Sequence, residues 1–325
     1  MEGWKGGGME KGSNFQSSNL PTFQSFNLPT FQFLKPMLFL ALNIVLLSGF
    51  GLFLKHAKNN QQRLNPIGFI NYLSAFFISI WVLSQEQDFE FSKLTFALGI
   101  SNGVTYALGF ELFTIGIQLS GIVVTAALVR LSIVLPILVA MIFWQEIPNL
   151  WQTIGLLLTF VAIPLLSQRE KEPTYAFTPD KPEVPQGLGF AIAITILLVT
   201  GISRLTMKAF NEMCPIDEKS LYMSLLFGVA TVIYLGICLY QRTWPNWWEV
   251  FYGVLIGVCN VGGSWALLIA LDQVSALIAF PMSSSGGVLF TMFVGMVFLH
   301  ERLSRTSLIG AFLAMIALIF VNLKT

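Results

Sequence analysis

Apolar and polar positions divide the chain into ten apolar runs, near 37–55, 66–84, 94–117, 121–143, 151–167, 187–209, 219–240, 248–271, 274–298 and 303–323. Each is about 17 to 25 residues long, the length that a helix rising about 1.5 Å per residue needs to cross a hydrocarbon layer roughly 30 Å thick. None alternates with the period of two expected of a barrel strand, and a lone segment in lipid can satisfy its backbone only as a helix. The pattern predicts an all-α integral membrane protein with ten transmembrane helices.

The longest polar stretch between runs, SQREKEPTYAFTPDKPEVPQ at 167–186, is rich in proline and charge and reads as a linker. Five runs precede it and five follow, and the halves repeat each other. At an offset of 155, Glu146, Ile154, Gly155, Leu158 and Ala162 fall on Glu301, Ile309, Gly310, Leu313 and Ala317. At 154, Gly99, Gly103 and Gly109 fall on Gly253, Gly257 and Gly263, and at 153 Lys55 falls on Lys208. Five is odd, so two copies joined by a non-spanning linker take opposite topologies: two inverted five-helix repeats, an arrangement common among secondary transporters. The expected organisation is a first repeat over 37–167, a linker over 168–186 and a second repeat over 187–325. Residues 1–36 stand apart, with SNLPTFQ at 18–24 recurring as FNLPTFQ at 26–32 in a Gly, Ser, Asn and Gln-rich tract. They read as a disordered tail upstream of a natural start at Met37.

Composition agrees with the bilayer and removes other classes. Across 325 residues, 55% are hydrophobic and 11% charged, with a mean hydropathy of +0.72, too apolar for the surface of a soluble domain. A net charge of +1 leaves no basic face for nucleic acid. The three cysteines have no metal-ligand spacing and read as small apolar fill. There is no HExxH, GxSxG or phosphate loop, and His56 and His300 sit at run ends rather than together. SSSGG at 283–287 reads as a small-residue packing site, and no cofactor is expected.

An apolar run, a short Glu-containing turn and an Ile-Gly opening the next run occur twice: LVRLSIVLPILVAMIFWQEIPNLWQTIG and VLFTMFVGMVFLHERLSRTSLIG, the first with a mid-run proline. This pattern resembles the EamA family of the drug/metabolite transporter superfamily over roughly 37–323. The second copy departs at Thr291, which stands where the first has Pro136. The resemblance implies a ten-helix carrier for small metabolites, amino acids or drugs in a bacterial inner membrane. It also implies cytoplasmic termini and a central cavity lined by the third, fourth, eighth and ninth helices. Lys and Arg counts lean the other way, with seven on the side of the termini and nine opposite. The expected partners are a small-molecule solute, the bilayer and a coupling proton or counter-solute. A membrane-embedded enzyme or a non-transporting scaffold is the alternative reading.

Charges within apolar runs are the strongest pointers to function, since each costs about 2.5 to 3.5 kcal/mol to insert at the centre of a spanning helix. Lys55, Arg204 and Lys208 lie near run ends, where long side chains reach the interface. Glu146 and Glu301 sit in turns, suited to tying helix ends or neighbouring cations, and Asp272 reads as a solvated boundary residue. Glu111 and Arg130 remain. They lie about equally far from the turn near Ser120, so they are expected to pair at mid-membrane and line the transport path, with a static salt bridge that only fixes the hairpin as the alternative. Tyr106, Phe110 and Trp265 become substrate-site candidates through the resemblance, and Asn260 joins them beside Gly262 and Gly263, which could loosen its helix.

Overall fold

The computed structural model describes residues 29–86, 92–120, 122–166, 186–298 and 305–323. The linker expected at 168–186 and the turn carrying Glu301 fall almost wholly outside them. The described residues form eleven α-helices: α1 (Pro29–Asn59), α2 (Leu64–Leu83), α3 (Lys93–Ser120), α4 (Ile122–Leu131), α5 (Val134–Phe143), α6 (Leu150–Leu166), α7 (Gln186–Met213), α8 (Lys219–Gln241), α9 (Trp247–Leu271), α10 (Ala276–Phe298) and α11 (Arg305–Asn322). A single 3-10 turn, Ile216–Glu218, precedes α8.

Nine of the ten apolar runs correspond to one helix each, and the fourth is split. Pro136 has no N–H to give the Ser132 carbonyl, which instead accepts from the Leu135 amide at 3.2 Å in a tight turn between α4 and α5. In the second half, with Thr291 in the matching position, α10 runs unbroken through its own Pro281. Helix α1 starts at Pro29, inside the stretch assigned to the tail. Among the described residues six helices are long and apolar enough to cross a membrane by length and composition, three further apolar helices are shorter, and α3 is long but carries Asn102, Thr105, Tyr106, Glu111 and Thr114.

Exposure is inverted relative to a soluble protein. Phe77, Ile142, Phe143, Leu157, Val232 and Phe312 face outward, while Asn43, Asn71, Asn102, Asn260 and Ser283 to Ser285 are buried. Trp244, Trp247 and Trp248 are exposed at one end of the bundle and Trp81 and Trp151 at the other, where an amphipathic ring meets the headgroups. The chain is a multi-pass integral membrane protein.

Helix neighbours follow one rule. α1 lies along α9 and α10, and α7 lies along α3 and the α4–α5 pair; α9 flanks α2 as α3 flanks α8. α2 packs on α8, and α6 packs on α11. Exchanging the halves maps these contacts onto themselves. The glycines permit it. A Cβ on Gly103 would stand 2.7 Å from the Leu226 carbonyl oxygen of α8, and one on Gly257 would stand 2.6 Å from the Asn71 carbonyl oxygen of α2. Gly99 and Gly253 sit one turn away in the same two contacts, so both GxxxG pairs serve packing within the chain, between the halves. Gly109 faces Thr200 of α7, as Gly263 faces Leu47 of α1.

Both ends of the bundle are tied across the halves. At one end Arg63 donates to both Glu249 carboxylate oxygens at 2.8 Å, and Glu249 closes a capping box with Asn246 at the start of α9. That hydrogen bond raises the pKa of the Arg63 guanidinium above its ordinary value. At the other end Glu86 accepts from Ser220 at 2.5 Å, and Glu218 accepts from the Ser92 amide at 3.0 Å.

Gly257→Ala is expected to destabilise the fold by about 1 to 3 kcal/mol, because neither backbone can retreat. Gly236 has nothing within 4 Å of its Cβ position, so Gly236→Ala is expected to be neutral or slightly stabilising. Thermal unfolding of the two purified variants, followed by loss of monodisperse protein, checks the pair.

Candidate functional site

Helix positions place a band of polar side chains near half depth. Tyr106 lies in the middle of α3, Arg130 in the α4–α5 pass, Arg204 in α7, Asn260 in α9 and Ser284 in α10. Lipid supplies no hydrogen bonds there, so each must find partners among its neighbours.

On one side of the band, three helices are joined through Tyr106. Its hydroxyl donates to Asn260 Oδ1 at 3.0 Å and lies 3.1 Å from Ser264 Oγ. Asn260 Nδ2 donates to Asn71 Oδ1 at 3.1 Å, and the Tyr72 hydroxyl donates to the Tyr106 carbonyl at 3.1 Å. One residue along α9, the Gly263 carbonyl accepts from Asn43 of α1 at 2.8 Å, and Asn43 Oδ1 accepts from Ser283 of α10 at 2.5 Å.

On the other side, α10 receives two arginines. Arg130 Nη1 donates to the Ser284 carbonyl at 3.2 Å and the Ser283 carbonyl at 3.4 Å. Arg204 Nη1 donates to Ser284 Oγ at 3.4 Å. Gly287 makes room, since a Cβ there would collide with the Arg130 guanidinium. Asn43, bound to Gly263 of α9 and to Ser283 of α10, brings the two sides together. The result is a ring of polar groups drawn from α1, α2, α3, α4, α7, α9 and α10, contributed by both halves.

The sequence-derived candidates separate within this arrangement. Tyr106 and Asn260 touch. Phe110 is instead a core residue, with its ring edge-on to Phe50, Tyr72 and Tyr234. Trp265 packs partly buried against the same apolar core. The expected Glu111–Arg130 pair does not form. Glu111 Oε2 accepts from the Tyr234 hydroxyl of α8 at 3.1 Å, whereas Arg130 turns toward α10. Equal depth on adjacent helices does not give a shared face, because each residue rotates the side chain about 100° around the axis.

Two other assignments change. Arg204 does not reach for the interface but points inward to Ser284. Lys208 is 1% exposed and pairs with Glu146, at 2.6 Å, and with Glu212, beneath the Trp144 ring at 5.7 Å. Glu146 thus ties a neighbouring cation, and its partner lies in the opposite half. Asp272, read as solvated, pairs with Lys219. Sequence reasoning missed Arg204 and Ser284 as members of the site; the run of three serines with two glycines was the available signal.

Tyr106→Phe removes the hydroxyl that meets Asn260 Oδ1 and Ser264 Oγ and is expected to cost about 1 to 3 kcal/mol. Lys208→Met strands Glu146 and is expected to cost about 3 to 5 kcal/mol, which adding Glu146→Gln should partly restore. Unfolding of the single and double variants in detergent measures both effects.

Residues 187–323 match the family model described as the EamA-like transporter family. A solved protein crystal structure superposes on 88% of this chain and 98% of its own, with a TM-score of 0.66 at 12% sequence identity, a likeness of fold alone. No curated protein matches the chain.

Proposed function

We propose, from the match of residues 187–323 to the EamA-like transporter family, that the chain is a carrier for a small solute. It works by alternating access, with two inverted five-helix repeats making ten passes and the polar ring at their interface binding the solute. The observation that carries this reading is the ring itself: buried polar groups from both halves, at half depth, in a bundle whose principal helix contacts map onto one another when the halves are exchanged. Inverted-repeat carriers hold solute near the midplane, where motion of one half against the other exposes it to each side in turn. A membrane enzyme or scaffold gives no reason for such a band. The resemblance is the ground for a bacterial inner membrane as the location.

Glu111 supports a second element, coupling to protons. Among the described residues it is the one carboxyl set well inside its helix and away from both ends of the bundle, and it holds the Tyr234 hydroxyl. A carboxyl in that position is a natural carrier of a proton between the two faces.

Purified protein in proteoliposomes is expected to show saturable uptake of a labelled metabolite with a counter-solute inside. Glu111→Gln is expected to retain exchange of solute for solute while losing uptake driven by an imposed pH gradient. Absence of saturable flux for every solute that thermally stabilises the protein overturns the carrier reading. Unchanged gradient-driven uptake by Glu111→Gln removes the coupling role alone.

A further inference from the structure

We propose that Arg130 and Arg204 form an anion site within the ring, so that the solute is a small organic acid carrying two negative charges on carboxylate or phosphate oxygens. The proposal rests on the carrier reading for transport, but the site itself stands on its own geometry.

Both arginines reach the same residue of α10, one through the Ser284 carbonyl and the other through its hydroxyl. Two guanidinium groups are thus gathered in the protein interior, where each raises the energy of the other. A carboxylate would relieve them, and none among the described residues is in position. Among the described residues the ion pairs involve Arg63, Lys208 and Lys219, and the one deep carboxyl, Glu111, faces Tyr234 on another side of α3. A buried cation without a countercharge is strongly unfavourable, and a pair of them more so. The missing charge is therefore one that arrives and leaves.

The groups are also arranged to receive it. A guanidinium offers five N–H donors in a planar fork that matches two oxygens of a carboxylate or phosphate. Among the described residues the hydrogen bonds of both arginines run from Nη1 alone, so most of each fork is unspent. Both side chains retain some accessible surface although they lie well inside their helices. Ser285, next along α10, is fully buried with a hydroxyl that has no partner among the described residues. The Tyr106 side of the ring carries no charge and is backed by the Tyr72 and Phe227 rings. A solute with oxyanions at the arginine side and a short carbon skeleton toward the tyrosines fits this division, whereas a bare inorganic ion leaves the second side unused.

The test uses the full chain, purified and reconstituted, with succinate and glycerol 3-phosphate as dianions, leucine as a zwitterion, putrescine as a dication, and chloride as a simple ion. The expected order of thermal stabilisation is dianion over zwitterion, with no effect of putrescine. Arg130→Gln and Arg204→Gln are each expected to weaken dianion binding about tenfold or more, and Arg130→Lys by less, because charge is kept but the fork is lost. Equal stabilisation by chloride and the dianions, or preference for leucine, overturns the anion assignment; saturable leucine flux would then leave the carrier reading intact. Dianion binding that both variants lose, with no flux of either dianion, upholds the site and removes the carrier reading. Where a variant does not yield folded protein, the order of ligands on the parent protein alone decides the assignment.

Discussion

Every polar atom between these helices needs a partner that lipid cannot supply. From that constraint follow the hydrogen bonds that run from Asn71 through Asn260 to Tyr106, and from Gly263 through Asn43 to Ser283. Such bonds cross between helices only where the backbones come close. The glycines of α3 and α9 provide that approach against α8 and α2, so small residues at the contacts and polar residues beside them form one design. Apolar area alone could not specify the packing, because lipid tails solvate leucine as well as a neighbouring helix does.

The bilayer also explains what could be read from the chain. Its thickness fixes segment length, and length with hydropathy located the segments to within a few residues at most ends. The glycine pairs were legible because their chemistry leaves few uses for two small residues on one face. Position along the helix was legible too, since Glu111 and Arg130 each stand about two turns from the facing ends of α3 and α4. Azimuth was not, since which face a residue presents depends on packing between helices that no single segment encodes.

Arg204 was misjudged for a related reason. With the sixth run ending near 209 it sits about one turn from the interface, within reach of water. The helix continues to Met213, adding about 6 Å at ~1.5 Å per residue and placing the arginine beyond comfortable reach. The same extension adds Glu212, one turn beyond Lys208, so the lysine finds its charge partners inside and has no need of the surface. Errors of four residues at a helix end are harmless for counting spans and decisive for charged side chains.

The break between α4 and α5 has a mechanical meaning. Arg130 lies just before it, and the far end of α5 leads to Glu146, which is bound to Lys208 of the other half. An unbroken helix would transmit any displacement at the arginine straight to that tie. With the Ser132 carbonyl released from its regular helical partner by Pro136, α4 and α5 are two short rods joined at a pivot. The two rods can change their mutual angle without breaking a continuous hydrogen-bond ladder, whereas α10 is unbroken at the matching position. The two halves, alike in outline, are therefore unlike at this position: one helix is broken, the other continuous.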